Sequence, residues 1–347
     1  MRHPYRLAAT AALVVMLAAC ADHGSSAAGD TMTLNVGQIS NSVAFFPIFV
    51  AEDQGYFKAE GLTLGERPRL GTGAKLAAAL QSGSIDVGGG VMTDAFNLRK
   101  VNAGTRLVAG LVDEYYVDII AGGRIPAAAD GQPLAARVEA LRGKKIGITG
   151  PGSGTEALLT YLLKKYGLDP RHDVTAVNLG ADPSASLGAL KAGRVDALSF
   201  FQPIGQQAEA QHTGRIFISP ARGDVPELRN ALHGVVFTTQ KVIDGKGRAM
   251  TAFVRAIAKA EQTIHGDPAT VEALLQKYQT TMDSATVKAL VPVLQAEIPA
   301  SPAPSETGYA TSAAFHRESG LAPSPPSYAE MVPSGWIAGV LPSPSRS

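Results

Sequence analysis

Residues able to do chemistry are thinly spread in this chain, and the densest group is the loop Gly150-Pro151-Gly152-Ser153-Gly154 with Thr155 and Glu156 behind it. Three enzymatic readings of this loop fail on spacing. A phosphate-cradling loop ends on a lysine followed by serine or threonine, whereas Gly154 is followed by Thr155-Glu156. A nucleophile elbow needs glycines two before and two after its serine, and around Ser153 those places hold Pro151 and Thr155. A dinucleotide fingerprint needs a third glycine that is absent at the required spacing. What remains is a nest of backbone N–H groups and two hydroxyls at a helix start. That suits an anion or polar acceptor, and equally an ordinary helix cap; local sequence leaves both open. His172, His212, His233, His265 and His316 show no paired spacing, so no metal site is expected. No cofactor is implied either.

The elements that must position these groups come from an internal repeat. Ala78-Ala79-Leu80-Gln81-Ser82-Gly83-Ser84-Ile85-Asp86-Val87-Gly88 is matched about 110 residues later by Gly188-Ala189-Leu190-Lys191-Ala192-Gly193-Arg194-Val195-Asp196-Ala197-Leu198. Each reads as a helix end, a glycine stop with positive φ, and a strand entering a buried sheet. Asp86 and Asp196, at matching places, read as caps rather than catalysts. Each repeat also follows a strand and a glycine-bearing loop: Leu62–Leu64 and Leu70–Gly73 in the first half, Val174–Leu179 and Gly180–Ser184 in the second. A helix follows from Ala74 or Ala185. Strand–loop–helix–strand used twice predicts an α/β protein of two similar lobes with mainly parallel sheets flanked by helices. In such sheets ligands bind at the carboxyl ends of the strands, where helix starts point. Further strands are expected at Thr33–Gln38, Thr105–Leu111, Val117–Ala121, Lys145–Thr149 and Gly234–Thr238, the last returning the chain to the first lobe. Helices are expected at Phe46–Gly55, Asp94–Asn102, Pro133–Leu141, Thr155–Tyr166, Ala249–His265, Pro268–Tyr278 and Ser284–Leu294.

The opening of the chain carries an address. Arg2, His3 and Arg6 precede an apolar run from Leu7 to Ala19, too short to span a bilayer, and then comes Leu17-Ala18-Ala19-Cys20. Cys20 is the only cysteine, so no internal disulfide or cysteine-based metal site can form. A leucine, two small residues and a cysteine resemble a bacterial lipoprotein signal, in which residues 1–19 are removed and Cys20 takes a lipid. Residues 20–32 then serve as a flexible tether. The expected division beyond it is 33–122 for the first part of lobe 1, 123–232 for lobe 2, and 233–335 for the second part of lobe 1 with wrapping helices. Residues 336–347 are expected to be a disordered tail. The formal net charge is only +1, and no basic cluster lies beyond the leader, which argues against a nucleic-acid partner.

The residues carry a family resemblance as well. Pro47-Ile48-Phe49-Val50-Ala51-Glu52-Asp53-Gln54-Gly55-Tyr56-Phe57-Lys58-Ala59-Glu60-Gly61-Leu62 resembles a P-x-x-x-A-x-x-x-G-Y-F-x-x-E-G-L segment of periplasmic substrate-binding proteins. These proteins serve ABC importers of nitrate, alkanesulfonates, taurine and thiamine-type pyrimidines. Ser82–Gly88, Arg142–Gly147, Gly152–Thr155 and Ala192–Ala197 are similar to further landmarks of the family. The resemblance implies a type II periplasmic-binding-protein fold with a two-crossover hinge, closing on a small solute and acting as a monomer with a permease and ATPase. It places ligand loops at Ser40, Asn41 and Phe45, at Gly71-Thr72-Gly73, and from Gly90 through Met92 and Thr93. In the second lobe they fall at Ser153-Gly154-Thr155, at Asp182 and Ser184, and at Phe201-Gln202, with Tyr115 near the hinge. It implies a lipid-anchored, extracytoplasmic binding protein without catalysis. No arginine falls in these loops, which leaves a neutral heterocycle or aromatic solute open beside an anion. A ligand-sensing lipoprotein and an enzyme like the thiamine-pyrimidine synthase are the alternatives. The synthase is cytosolic and carries a cysteine-rich segment, unlike this chain.

Overall fold

The computed structural model describes residues 32–341. The leader, Cys20, nearly all of the tether and residues 342–347 lie outside them. In chain order the strands are β1 (Thr33–Leu34), β2 (Val36–Gln38), β3 (Thr63–Leu64), β4 (Val87–Val91), β5 (Thr105–Val112), β6 (Val117–Ala121), β7 (Lys145–Ile148), β8 (Thr175–Asn178), β9 (Ala197–Phe201), β10 (Arg215–Ile218) and β11 (Gly234–Thr239). They build a sheet of order β2-β4-β11-β5, a parallel pair β1-β3 beside it, and a second sheet of order β10-β6-β9-β7-β8. Within the first, β2 runs parallel to β4, while β11 is antiparallel to both neighbours. Within the second, β7 is parallel to β8 and β9, while β6 is antiparallel to β9 and β10.

Laid side by side, β3, β1–β2, β4, β11 and β5 occupy the places of β8, β7, β9, β6 and β10. The repeat is therefore real in three dimensions, and each sheet holds one strand running against the rest. This corrects one boundary. β6 belongs to the second sheet, so the chain crosses over between Val112 and Val117 rather than after residue 122.

The paired aspartates explain why the repeat keeps its acid. The Asp86 carboxylate accepts from the Asn35 N–H at 2.8 Å and meets Lys246 Nζ at 2.8 Å. The Asp196 carboxylate accepts from the Lys145 N–H at 2.8 Å and from Arg124 Nη1 at 2.9 Å. In both lobes the acid fastens the start of the neighbouring strand, and its cation follows the antiparallel strand. Gly83 and Gly193 take φ of 77° and 65°, as helix stops require.

The C-terminal helices hold the lobes together. Helix Gly247–Ile264 buries Phe253, Ile257 and Ile264 completely, and Phe253 stacks on Phe57 at 5.2 Å. Helix Glu306–Ser319, expected only as part of a wrap, spans both lobes. Its Phe315 packs on Tyr161 of the second, while its His316 Nε2 lies 2.7 Å from Thr93 Oγ1 of the first. Residues Ser334–Val340 form a helix with Ile337 and Val340 buried, so the expected disordered tail from residue 336 is not what the chain does there. Two apolar side chains one turn apart are enough to dock it.

Candidate functional site

A cavity of about 440 Å³ lies between the lobes, at the carboxyl ends of strands from both sheets. On the first lobe Ile39 and Ser40 follow β2, Gly71-Thr72-Gly73 lead into helix Gly73–Ser82, and Val91 closes β4. On the second, Thr149 through Thr155 and Phe201 face them, joined by Asn178 and Ala181 at the end of β8 and beyond it. Phe45, Tyr116 and Phe201 supply aromatic walls. Asn97 reaches across, its amide Nδ2 donating to the Gly152 carbonyl at 3.1 Å.

Of the residues expected in the cleft, Ser40, Phe45, Gly71, Thr72, Gly73, Ser153, Gly154, Thr155 and Phe201 line this cavity. The others stand elsewhere. Asn41 is exposed, its Oδ1 accepting from Arg69 Nε at 2.6 Å. Asp182 caps helix Pro183–Lys191 by accepting from Ala185 N at 2.7 Å, and Ser184 is exposed within that helix. Gln202 turns its Nε2 to Glu297 at 3.0 Å, away from the cavity. Tyr115 is wholly buried and donates to the Gly154 carbonyl at 2.6 Å, while its neighbour Tyr116 takes the wall. One step along extended chain flips a side chain to the other face, so the adjacent tyrosine was an easy miss.

The same register question arises after β4. That strand runs to Val91 and helix Met92–Val101 begins directly, so Gly90, Met92 and Thr93 are buried behind the wall. Asp94 and Asn97, three apart on one helix face, look into the cavity instead. Asp94 is 4% exposed, and its Oδ2 accepts from the Val91 N–H at 3.0 Å. Burial pushes its carboxyl up to about 7, against the pull of that N–H. His233, whose ring packs on Tyr115 at 3.9 Å, is also almost fully buried at the cavity edge. Burial holds it neutral, and its Nδ1 has no hydrogen-bond partner among the described residues.

The glycine-rich loop proves to be capped from within. Ser153 Oγ accepts from Glu156 N at 3.3 Å, the Glu156 carboxylate accepts from Gly152 N at 2.6 Å, and Thr155 Oγ1 accepts from Thr149 N at 2.9 Å. Thr72 caps the facing helix by accepting from Lys75 N at 3.3 Å. Local geometry thus favours the capping alternative over the anion seat. Ser153→Ala and Thr72→Ala are each expected to lower the stability of the unliganded protein by about 1 kcal/mol. Calorimetric melting checks this, and an unchanged melting temperature in both variants would contradict the capping role.

Two facing α/β lobes with a cavity at the carboxyl ends of both sheets define a protein of the periplasmic-binding-protein fold. The chain belongs to the NMT1-like family, whose model matches residues 27–277. Among curated relatives, the putative binding protein YtlA of Bacillus subtilis is 24% identical over 274 residues, covering 74% of this chain and 72% of that one. A yeast (Saccharomyces cerevisiae) 4-amino-5-hydroxymethyl-2-methylpyrimidine phosphate synthase is 28% identical over 134 residues, 39% of this chain and 36% of the synthase. Among solved structures, the alkanesulfonate-binding protein SsuA of Xanthomonas axonopodis pv. citri, bound to MOPS, superposes with a TM-score of 0.69 at 20% identity, over 87% of this chain and 98% of that one.

Proposed function

We propose that this protein is the solute-binding component of an ABC importer, anchored by a lipid on Cys20 outside the cytoplasmic membrane. It captures a small organic solute between its lobes and delivers it, as a monomer, to a permease driven by an ATPase. The observation that carries this reading is the cavity itself: its walls come from both lobes, and its polar atoms come from helix starts and strand ends. Family membership and the alkanesulfonate-binding protein among the structural relatives support it. The resemblance of Leu17–Cys20 to a lipoprotein signal supports the anchor.

The deciding experiment is a thermal-shift panel on the purified protein with sulfonates, nitrate, aromatic carboxylates, amines, pyrimidines and riboflavin-like compounds. A true solute at a hundredfold excess over its Kd stabilises the folded state by about 2.7 kcal/mol. Failure of every class to shift the melting temperature would count against solute capture. The anchor is tested apart from it: Cys20→Ala should fold normally and lose both lipid labelling and membrane retention. A variant that stays in the membrane fraction would remove the lipid from the proposal.

A further inference from the structure

The charges around the cavity run opposite to what an anion needs. Among the described residues no lysine or arginine lines it, and the one carboxylic acid that does is Asp94. Both helix starts that could have received an anion already carry a carboxylate of the chain itself. Glu156 sits on the Gly152 N–H, and Asp94 lies against Gly73 at the facing helix. The contact at Gly73 is so close that a Cβ there would collide with Asp94 Oδ1, so only glycine leaves room for the acid. Oδ2 is used by the Val91 N–H, whereas Oδ1 has no hydrogen-bond partner among the described residues. Asp94 is 4% exposed and lines the cavity, so a ligand donor that meets Oδ1 replaces the little water that can reach it. His233, whose buried Nδ1 has no hydrogen-bond partner among the described residues, stands at the edge of the same cavity and brings no positive charge to it.

We propose that the cleft selects a solute bearing a cationic nitrogen, an amine or amidine on a small apolar body, with the Asp94 carboxylate as its partner. The inference rests on the solute-binding reading above. Asp94 Oδ1 accepts from the nitrogen, while Phe45, Tyr116 and Phe201 enclose the apolar body and offer ring faces to a positive charge. An incoming sulfonate or nitrate would instead bring a negative charge toward Asp94, with no lysine or arginine lining the cavity to meet it.

Benzylamine and benzenesulfonate share a ring and differ in charge, which makes them matched probes for calorimetric titration of the purified protein. Benzylamine is expected to bind, and benzenesulfonate at least about tenfold more weakly. Asp94→Asn keeps an oxygen for the Val91 N–H and removes a buried acid, so its unliganded melting temperature should not fall below wild type. Its benzylamine affinity should fall by about tenfold to a hundredfold. Tighter binding of benzenesulfonate, or an unchanged benzylamine affinity in Asp94→Asn, overturns the ligand class and leaves solute capture standing. Absence of binding by both probes also overturns the class, while the thermal-shift panel judges the wider reading separately. Should Asp94→Asn melt far below wild type, the preference of the unaltered protein between the two probes still decides.

Discussion

Glu261→Gln should be more stable than the unaltered protein at pH 8, and by a much smaller margin at pH 5. Glu261 lies wholly buried in helix Gly247–Ile264, and neither of its carboxyl oxygens has a hydrogen-bond partner among the described residues. Burial, and next the nearby Asp113, hold its carboxyl well above the ordinary range. The folded chain therefore keeps a proton that the unfolded chain gives up near pH 4. For an acid raised in this way, stability is greatest below the unfolded pKa and declines as pH climbs toward the folded one. Glutamine never ionises, so the variant escapes the decline. Asp94, Asp118 and Glu297, pushed by burial to about 7, 7 and 8, bend the whole protein the same way. Below pH 6.5 buried His233 and His316 oppose them, because both are held neutral in the fold and charge on unfolding. Melting curves between pH 7.5 and 9, where the histidines have finished titrating, isolate the acids. An equal gain for Glu261→Gln at both pH values would show that the carboxyl is not the cause.

Asp196→Ala should destabilise the protein by about 2–3 kcal/mol. Its removal strands the Lys145 N–H at the start of β7 and frees Arg124. Asp196→Asn, which can still accept from the backbone, should lose less. Burial alone would raise the Asp196 carboxyl, but the Lys145 N–H and Arg124 outweigh it and hold it below the usual range. Its contribution is thus present above about pH 4 and disappears as pH falls through the lowered value. Denaturant midpoints for the three proteins at neutral pH test the order. Equal midpoints would mean that the strand start needs no carboxylate.

Much of this architecture was legible because the repeat is written in local terms. A helix stop, a branched residue and an aspartate recur, and the structure shows a physical job for each. The helix expected at Pro268–Tyr278 is found with those bounds, since a capping acid at Asp267 and a proline at the first turn leave little choice. The crossing strand was harder. Val117–Ala121 is buried throughout, and nothing in a fully buried run says which of two buried sheets it joins. Site residues were legible as loops and not as faces. Gly71–Gly73 and Ser153–Thr155 reached the cavity because glycine loops and hydroxyl caps mark helix starts. Asp94 was missed beside the named Met92 and Thr93, because the turn of a helix, not the loop position, decides which side chain looks out. The docked helix Ser334–Val340 depends on contacts with distant segments, which local sequence cannot reveal.

The place of β11 has a consequence for the order in which the molecule can be assembled. The second sheet is drawn from one uninterrupted stretch, β6 through β10, whereas the first has β11 wedged between β4 and β5. Until residues 234–239 arrive, β4 and β5 have no strand joining them, and the first sheet is two fragments with open edges. A chain emerging from its N-terminus therefore completes its inserted lobe first and its opening lobe last. The strands synthesised earliest are among the last to be locked in place, and they wait with bare edges for a partner made more than a hundred residues later.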